Sequence, residues 1–263
     1  MKLCRTLIRS IFLLSICVGI EISAPGCTND NNTGPDTSTI GTIHTPSNDY
    51  QVVGIITGLG FFGCAQVTVE DGNGNVIANA TVEVNNKSLA YNTGSEAYTD
   101  DDEQPVLEYG AGKVYQLTVT VANNIIAEGI TQMPTIPMII SPPDSSHHTL
   151  LQSLAVGLNN IRYATSVHVL VATPSVDADG NWLNDTTYGF TVPSGQQEIT
   201  IPGTAFEYSG EYLLSVEAVS GIASSLTLFE NEVEAVDVGY NIKGPRGIFV
   251  AQSMGGGISL FIP

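Results

Sequence analysis

The sequence predicts an all-β fold built from two tandem antiparallel β-sandwich modules, which follow a signal peptide and a disordered tether. Apolar and polar residues alternate strictly in many short segments, and strong turn signals separate these segments. Apolar residues spaced three and four apart do not persist beyond two turns, so we expect very little helix. The predicted ranges are 1–26 for the signal peptide, 27–49 for the tether, 50–136 for the first module and 137–263 for the second.

The first 26 residues are typical of a secretory signal. Lys2, Arg5 and Arg9 precede an apolar run at 11–20, and small residues follow that run. About ten apolar residues are too few to cross a hydrocarbon core of ~30 Å as a helix. We therefore expect the segment to be removed on export, and we expect the mature chain to be held at a membrane by a lipid anchor only.

Cys27 is the predicted lipidation site. It directly follows the apolar run in S-A-P-G-C, and a polar stretch rich in Thr, Asn and Asp comes after it. This order resembles a bacterial lipoprotein signal, which implies a cell-envelope location, most simply an outer-membrane lipoprotein that faces the periplasm or the surface. The alternative is ordinary cleavage near Ala24. Cys27 would then be a thiol or a disulfide partner, and Cys64, beside a predicted strand, is expected to be buried.

The mature chain is strongly acidic. The whole sequence has 8 Lys and Arg against 26 Asp and Glu. Removal of residues 1–26 takes away three cations and Glu21, which leaves 5 against 25 and a net charge of −20. Such a surface repels nucleic acid, so we expect no nucleic-acid partner.

The two modules are separated by proline-rich sequence. In the first module, Ala65, Val67 and Val69 alternate with polar residues, and D-G-N-G-N at 71–75 predicts a tight turn. The run M-P-T-I-P-M-I-I-S-P-P-D then favours a connector or an edge strand. About seven short strands are predicted after it, including L-L-Q-S-L-A-V and G-E-Y-L-L-S-V-E-A-V.

These segments resemble known families. A-Q-V-T-V-E-D-G-N-G-N-V-I-A-N-A-T-V-E-V-N with Y-Q-L-T-V-T-V is similar to the carboxypeptidase-regulatory type of transthyretin-like sandwich. I-I-S-P-P-D-S-S and G-E-Y-L-L-S-V-E-A-V resemble a fibronectin type III or immunoglobulin-like module, which makes Tyr212 its corner tyrosine. The whole order, with N-I-K-G-P-R-G-I-F-V-A-Q-S near the end, is similar to uncharacterised envelope lipoproteins often encoded beside TonB-dependent receptors. An envelope protein as partner is what this similarity implies.

One acidic segment has the spacing of a calcium loop. Four side chains with oxygen atoms stand at alternate or nearly alternate positions of V-D-A-D-G-N-W-L-N-D. A loop with this spacing can direct its oxygen ligands at one Ca²⁺. These candidate metal ligands are Asp177, Asp179, Asn181 and Asp185. The alternative is a strand-joining loop that uses D-G-N for its turn. A second acidic run, Asp100 to Glu103, carries the same two interpretations. Calcium is the only cofactor that the sequence suggests.

Trp182 and Tyr188 are the candidate binding residues. Exposed together, they would form an aromatic platform for a sugar ring or a partner chain; packed inward, Trp182 would anchor its loop to the core. No motif of a nucleophilic enzyme, a zinc enzyme or a phosphate-binding loop is found in the sequence. We therefore predict a non-enzymatic binding module for an envelope protein or an extracellular glycan. A passive spacer or matrix component is the alternative, as is a calcium-stabilised glycan-binding accessory protein.

Overall fold

The computed structural model describes residues 40–59, 62–100, 105–174, 186–192, 195–220 and 237–263. Strands dominate these ranges, and the all-β prediction is confirmed. The one helical turn within them is the 3-10 segment Gly203–Ala205. None of these ranges contains a helix with the length and hydropathy of a membrane span.

The strands, in chain order, are β1 Ile43–His44, β2 Ser47–Leu59, β3 Phe62–Asp71, β4 Thr81–Val84, β5 Lys87–Ser88, β6 Ala90–Asn92, β7 Ala97–Thr99, β8 Val114–Val121, β9 Asn124–Gln132, β10 Ile139–Ser141, β11 Ser146–His147, β12 Leu154–Leu158, β13 Ser166–Ala172, β14 Thr187–Thr191, β15 Glu198–Ile201, β16 Gly210–Ser220, β17 Gly239–Tyr240, β18 Ile242–Lys243, β19 Pro245–Met254 and β20 Ile258–Ile262.

Three sheets build two sandwiches. A long sheet of twelve strands has the path β11-β20-β16-β19-β2-β3-β7-β6, with β13 and β14 continuing from β16, and β17 and β1 from β19. The five-stranded sheet β18-β9-β8-β4-β5 contributes to the first core with one half of the long sheet. The three-stranded sheet β10-β12-β15 contributes to the second core with the other half.

The predicted alternation gives β8 and the first half of β16 one side that faces a core. In β8, Tyr115, Leu117 and Val119 are buried in the first core, whereas Gln116 is exposed. In β16, Tyr212 and Leu214 are buried in the second core. Burial of side chains of this size contributes roughly 1.5–3 kcal/mol each. The apolar residues of the period-two pattern in the sequence therefore help to form both cores.

The acidic turn at 71–75 is held by its own side chain. The Asp71 carboxylate accepts hydrogen bonds from the backbone N–H groups of Asn73 at 2.8 Å and Asn75 at 2.9 Å. Gly74 takes the left-handed φ of +80° that the turn needs. A single bridge between Glu70 and Val76 closes the turn, and the chain then crosses to the five-stranded sheet as β4.

The C-terminal strands differ from the predicted division of the chain. The sequence assigns all of 137–263 to the second module, but Ile242 of β18 and Phe249 and Ala251 of β19 pack in the first core. β19 pairs in parallel with β2 on one edge and antiparallel with β16 on the other. The apolar run that opens I-F-V-A-Q-S predicts a strand but does not identify its partner, since β2 lies near the other end of the chain.

The end of the predicted tether also contains strands. Both β1 and the first residues of β2 lie within 27–49. The Gly41 N–H donates to the Asn241 side chain at 2.5 Å, and the Asn241 N–H donates to the Thr42 carbonyl at 2.9 Å. The polar composition of 40–49 predicts a flexible chain, but a loop near the C-terminus supplies the hydrogen bonds that order it.

Tyr212 has the geometry of a tyrosine corner. Its side chain is fully buried, and its hydroxyl donates to the Tyr208 carbonyl at 3.1 Å and accepts from the Tyr208 N–H at 3.0 Å. A corner tyrosine bonds in this way to the backbone a few residues upstream. The resemblance-based prediction for Tyr212 therefore matches the hydrogen bonds of this chain.

We expect Tyr212→Phe to lower the free energy of unfolding by about 1–3 kcal/mol, because it removes the two hydrogen bonds from the Tyr212 hydroxyl to the backbone of Tyr208, each worth roughly 0.5–1.5 kcal/mol. Urea unfolding followed by circular dichroism measures this loss. Tyr208→Phe is the matched control, since the Tyr208 side chain is 40% exposed and a surface change alters stability by no more than about 0.5 kcal/mol. Equal effects of the two substitutions would contradict the corner role.

Candidate functional site

The candidate site is the loop end of the second module. β13 ends here at Ala172, β16 begins at Gly210, and β20 ends at Ile262, because Ala172 pairs with Leu213 and Gly210 pairs with Ile262. The segments 148–153 and 202–209, which border β12, β15 and β16, reach the same end. Loops at the end of a rigid sandwich are where such modules usually bind.

A pair of threonines closes the base of the candidate calcium loop. The backbone N–H of Thr173 donates to the Thr186 carbonyl at 2.9 Å, and its hydroxyl donates to the same carbonyl at 3.1 Å. The Thr186 N–H donates back to the Thr173 hydroxyl at 3.0 Å. These hydrogen bonds hold together the described residues on either side of 175–185. The predicted ligands Asp177, Asp179, Asn181 and Asp185 lie outside the described residues, as does Trp182.

Tyr188 is the one predicted binding residue at this end that the structure describes. It lies in β14 opposite Val171, and its half-buried ring packs against the second core. Its position two residues beyond the Thr173–Thr186 clamp places it beside the base of the loop. Cys27, the predicted lipidation site, lies outside the described residues.

Exposed apolar side chains surround this loop end. Leu151 is 60% exposed, Leu150 is also exposed, and Tyr208 projects from the neighbouring loop. The two loops lie side by side because the Leu151 N–H donates to the Phe206 carbonyl at 3.0 Å. Two exposed carboxylates, Glu207 and Glu211, stand in the second loop and at the start of β16. We call Leu150, Leu151 and Tyr208 the loop-end patch.

The sequence did not reveal this patch. L-L-Q-S-L-A-V predicts that Leu150 and Leu151 are strand residues, but the strand begins only at Leu154. Leu151 instead adopts a left-handed backbone with φ +58°, which bulky residues rarely take. An apolar pair in front of an apolar strand gives no local signal of this change. The outward position of Leu151 is set by the Phe206 loop.

The adjacent histidines help to hold these loops together. The ring of His148 contacts Gln152 through a 2.8 Å hydrogen bond from Nε2 to the carbonyl oxygen. It also stands edge-on to the buried Phe206 ring at 5.1 Å. His147 lies 6.1 Å from the Phe261 ring, measured between ring centroids. Both histidine side chains therefore pack against residues of the loop end.

Asp100 begins the second acidic run, and its hydrogen bonds stabilise the fold. Its carboxylate accepts hydrogen bonds from the N–H groups of Val106 at 2.9 Å and Leu107 at 3.2 Å, and from the Tyr109 hydroxyl at 2.8 Å. Burial, and then this hydrogen bond to Asp100, raises the pKa of Tyr109 far above its usual range. The bonds tie Asp100 to the described residues that follow, Val106, Leu107 and Tyr109. Asp101 to Glu103, the rest of the acidic run, lie outside the described residues.

A buried acid and a buried imidazole face each other across β13 and β16. His168 is 5% exposed and Glu217 is 2% exposed, and the two residues are direct cross-strand partners. Burial lowers the pKa of His168 to about 4 and raises the pKa of Glu217 to about 8. The imidazole is hydrogen-bonded to the hydroxyls of Ser166 at 2.6 Å and Thr191 at 3.2 Å. Both groups are therefore neutral near pH 7 and lie away from the loop end.

This arrangement offers little for catalysis or metal binding. Both imidazole nitrogens of His168 are engaged by hydroxyl groups, and the carboxyl of Glu217 is buried. Within the described part of the chain, no three His, Cys, Asp or Glu side chains gather closely enough to hold a metal ion. Burial of Glu217 was not predictable, since S-V-E-A-V reads as an apolar face with a solvated glutamate opposite it.

Comparisons with known proteins give only distant similarity. No protein-family model matches the chain, and no curated protein matches it. Among solved structures, the chain is similar to a structure described as Clostridium thermocellum CbhA fibronectin(III)-like modules, with 10% identity and a TM-score of 0.26. That alignment covers 84% of this chain and 92% of the other.

A second similar structure is that of DIP-gamma IG1+IG2, with 10% identity and a TM-score of 0.18. The alignment covers 81% of this chain and 97% of that one. Scores this low do not establish a common fold. The all-β sandwich architecture rests on the strands, sheets and cores of this chain itself.

Proposed function

We propose that the protein is a lipid-anchored, non-catalytic interaction module of the cell envelope, and that the loop end of its second module contacts a partner. The loop-end patch is the observation that carries this proposal. Leu150, Leu151 and Tyr208 are exposed on two hydrogen-bonded loops, at the same end of the module as the Thr173–Thr186 hydrogen bonds. Large apolar side chains at a rigid loop end supply contact area at low entropic cost.

The position of this end supports the role. β2 leaves the tether at Ser47, at the far end of the first module, and the loop end lies beyond the second module. A lipid at Cys27 would therefore hold the opposite pole of the chain to the membrane. Glu207 and Glu211 beside the patch favour a partner that is apolar in the centre and cationic at its rim.

A pull-down from native cells in mild detergent tests the proposal. The tagged protein should recover a specific envelope partner in stoichiometric amount, and Cys27→Ser should lose it if the anchor brings the two proteins together. Leu151→Asn removes an apolar side chain from the patch with a residue that tolerates the positive φ. We expect this variant to reduce recovery of the partner.

Ile125→Asn is the matched control for Leu151→Asn. Ile125 is 63% exposed and lies in the β8–β9 hairpin of the first module, away from the loop end. Equal recovery with the Leu151 and Ile125 variants would exclude the loop-end patch as the contact. If no specific protein is recovered, a glycan array probes the other partner class, and no hit in either assay would overturn the binding role.

Calcium is a second part of the proposal. If Asp177, Asp179, Asn181 and Asp185 bind Ca²⁺, millimolar Ca²⁺ should raise the melting temperature relative to chelator, because a ligand that binds only the folded state stabilises it. At a concentration 100 times the dissociation constant the gain is about 2.7 kcal/mol. The double variant Asp177→Asn with Asp179→Asn should abolish the shift. An unchanged melting temperature in the native chain would exclude the site.

A further inference from the structure

We infer that the chain is a load-bearing link, in which tension between the segment before Ile40 and the end of β20 is carried as shear along the strands of the long sheet. This inference goes beyond the proposed binding role. It concerns the path of force through the fold and holds for any partner at the loop end.

The first part of the path is the pairing of β2 with β19. These strands run parallel in continuous register from Gln51 opposite Arg246 to Gly58 opposite Ser253. In a parallel pair, the start of one strand and the end of the other lie at opposite ends of the ladder. Tension that enters β2 at Ser47 and leaves β19 at Met254 therefore acts along the strands. Every hydrogen bond of the ladder is loaded at once.

The second part of the path crosses between the two cores without a hinge. β16 pairs with β19 from Glu217 to Ser220 and with β20 from Gly210 to Leu214. Its other edge pairs with β13 over its length, from Ala172 opposite Leu213 to Ser166 opposite Val219. β19 and β20 thus run in the same direction along one long strand. Force that passes through β20 also acts along the strand axis.

Side chains oppose sliding of β19 against β2. The buried amide of Gln252 donates to the hydroxyl of Thr57, its cross-strand partner, at 3.0 Å. On the opposite face Phe249 fills the first core and would have to leave it if the strand moved by one residue, because a one-residue slip turns each side chain to the other face. The Ser253 hydroxyl also donates to the Pro134 carbonyl at 2.8 Å, which holds the connector to the end of β19.

Force spectroscopy on the full chain tests this inference by comparing two pulling directions. In the first, handles are attached to the two ends of the chain. In the second, one handle stays at the N-terminal end and the other is moved to position 73, in the exposed turn after β3. Tyr50 pairs with Asp71, so the second pair of handles pulls from the same end of the β2–β3 ladder and opens it one pair at a time.

We expect the unfolding force to be several-fold higher between the two ends than between the N-terminal end and position 73, at the same loading rate. Forced unfolding reports the barrier to unfolding rather than the equilibrium stability, so the two directions can differ in one protein. Equal forces, or a lower force between the ends, would overturn the inference.

Gln252→Ala separates shear resistance from overall stability. It should lower the force between the two ends while leaving the force in the peeling direction nearly unchanged, because it removes the bond from Gln252 to Thr57 across the sheared ladder. Gln116→Ala is the matched control, an exposed glutamine in the five-stranded sheet, and should change neither force. A proportional loss in both directions with Gln252→Ala would overturn the role of this bond in the load path.

Discussion

Gly247→Ala is expected to lower the free energy of unfolding by about 4 kcal/mol, a large share of the stability of a small protein. Gly247 has φ +132°, in a region of backbone space that essentially only glycine occupies, at a cost of about 1–3 kcal/mol for other residues. A Cβ built there would stand 1.8 Å from the Val52 carbonyl oxygen. Overpacking against backbone adds about 1–3 kcal/mol, since the strand β2 must shift to make room.

The position of Gly247 makes this effect global. It lies in β19, which pairs with β2, β16 and β17 and takes part in the first core through Phe249. A displacement of β19 therefore reaches both sandwiches. Urea unfolding followed by circular dichroism measures the change in the midpoint and in the free energy of unfolding.

Gly74→Ala is the matched control for this substitution. Gly74 also has a positive φ, +80°, but no atom lies within 4 Å of the position of its Cβ. Only the cost of the positive φ applies to Gly74, and we expect a loss of about 1 kcal/mol. If both variants lose the same free energy, the close approach of Gly247 to Val52 has no energetic weight, and the packing of β19 against β2 is looser than the distances indicate.

The sequence predicts strands better than it predicts their partners. The predicted segment G-E-Y-L-L-S-V-E-A-V coincides with β16 up to the last residue of that strand, because a strand pattern is a local property of the sequence. The parallel pairing of β2 with β19 is not local. It depends on a segment near the C-terminus that fits between β2 and β16. The apolar run of I-F-V-A-Q-S is typical of a strand buried on both faces, but it does not indicate which strands flank it.

The candidate site shows the same limit. An apolar run predicts burial for Leu151, yet the residue is exposed in a left-handed turn that another loop holds in place. Glu217 shows the opposite deviation, since its charge predicts an exposed side chain and the fold buries it. In both cases tertiary contacts override a local preference. Tyr212 was predictable through the resemblance to a fibronectin type III or immunoglobulin-like module, whose corner tyrosine bonds to the backbone a few residues upstream.

The pH dependence of stability is the second large effect that the structure predicts. Between pH 6.5 and 8 we expect the protein to lose roughly 2 kcal/mol of unfolding free energy through Glu217 alone, at 1.36 kcal/mol per pH unit over that window. The folded pKa of Glu217, about 8, lies above its usual value of 4.5 because burial disfavours the carboxylate. Its stabilising contribution is complete below pH 4.5 and is lost as the pH rises through 8, since the unfolded chain releases the proton first.

His168 has the opposite sign. Its folded pKa, about 4, lies below its usual value of 6.5 because burial disfavours the imidazolium. Its contribution is present above pH 6.5 and is lost as the pH falls to 4. Between pH 4.5 and 6.5 the slopes of Glu217 and His168 nearly cancel. The net effect of the pair is a plateau in this window, with a decline on the alkaline side and another below pH 4.5.

Three variants separate these contributions when each is compared with the native chain across pH by urea unfolding. Glu217→Gln should remove the alkaline decline, whereas the exposed control Glu198→Gln should leave it in place. His168→Gln should leave only the Glu217 slope, so stability then rises as the pH falls from 6.5 to 4.5. A native chain with constant stability from pH 6.5 to 8, or a decline that persists in Glu217→Gln, would show that the Glu217 carboxyl finds solvent or a cation in the folded state.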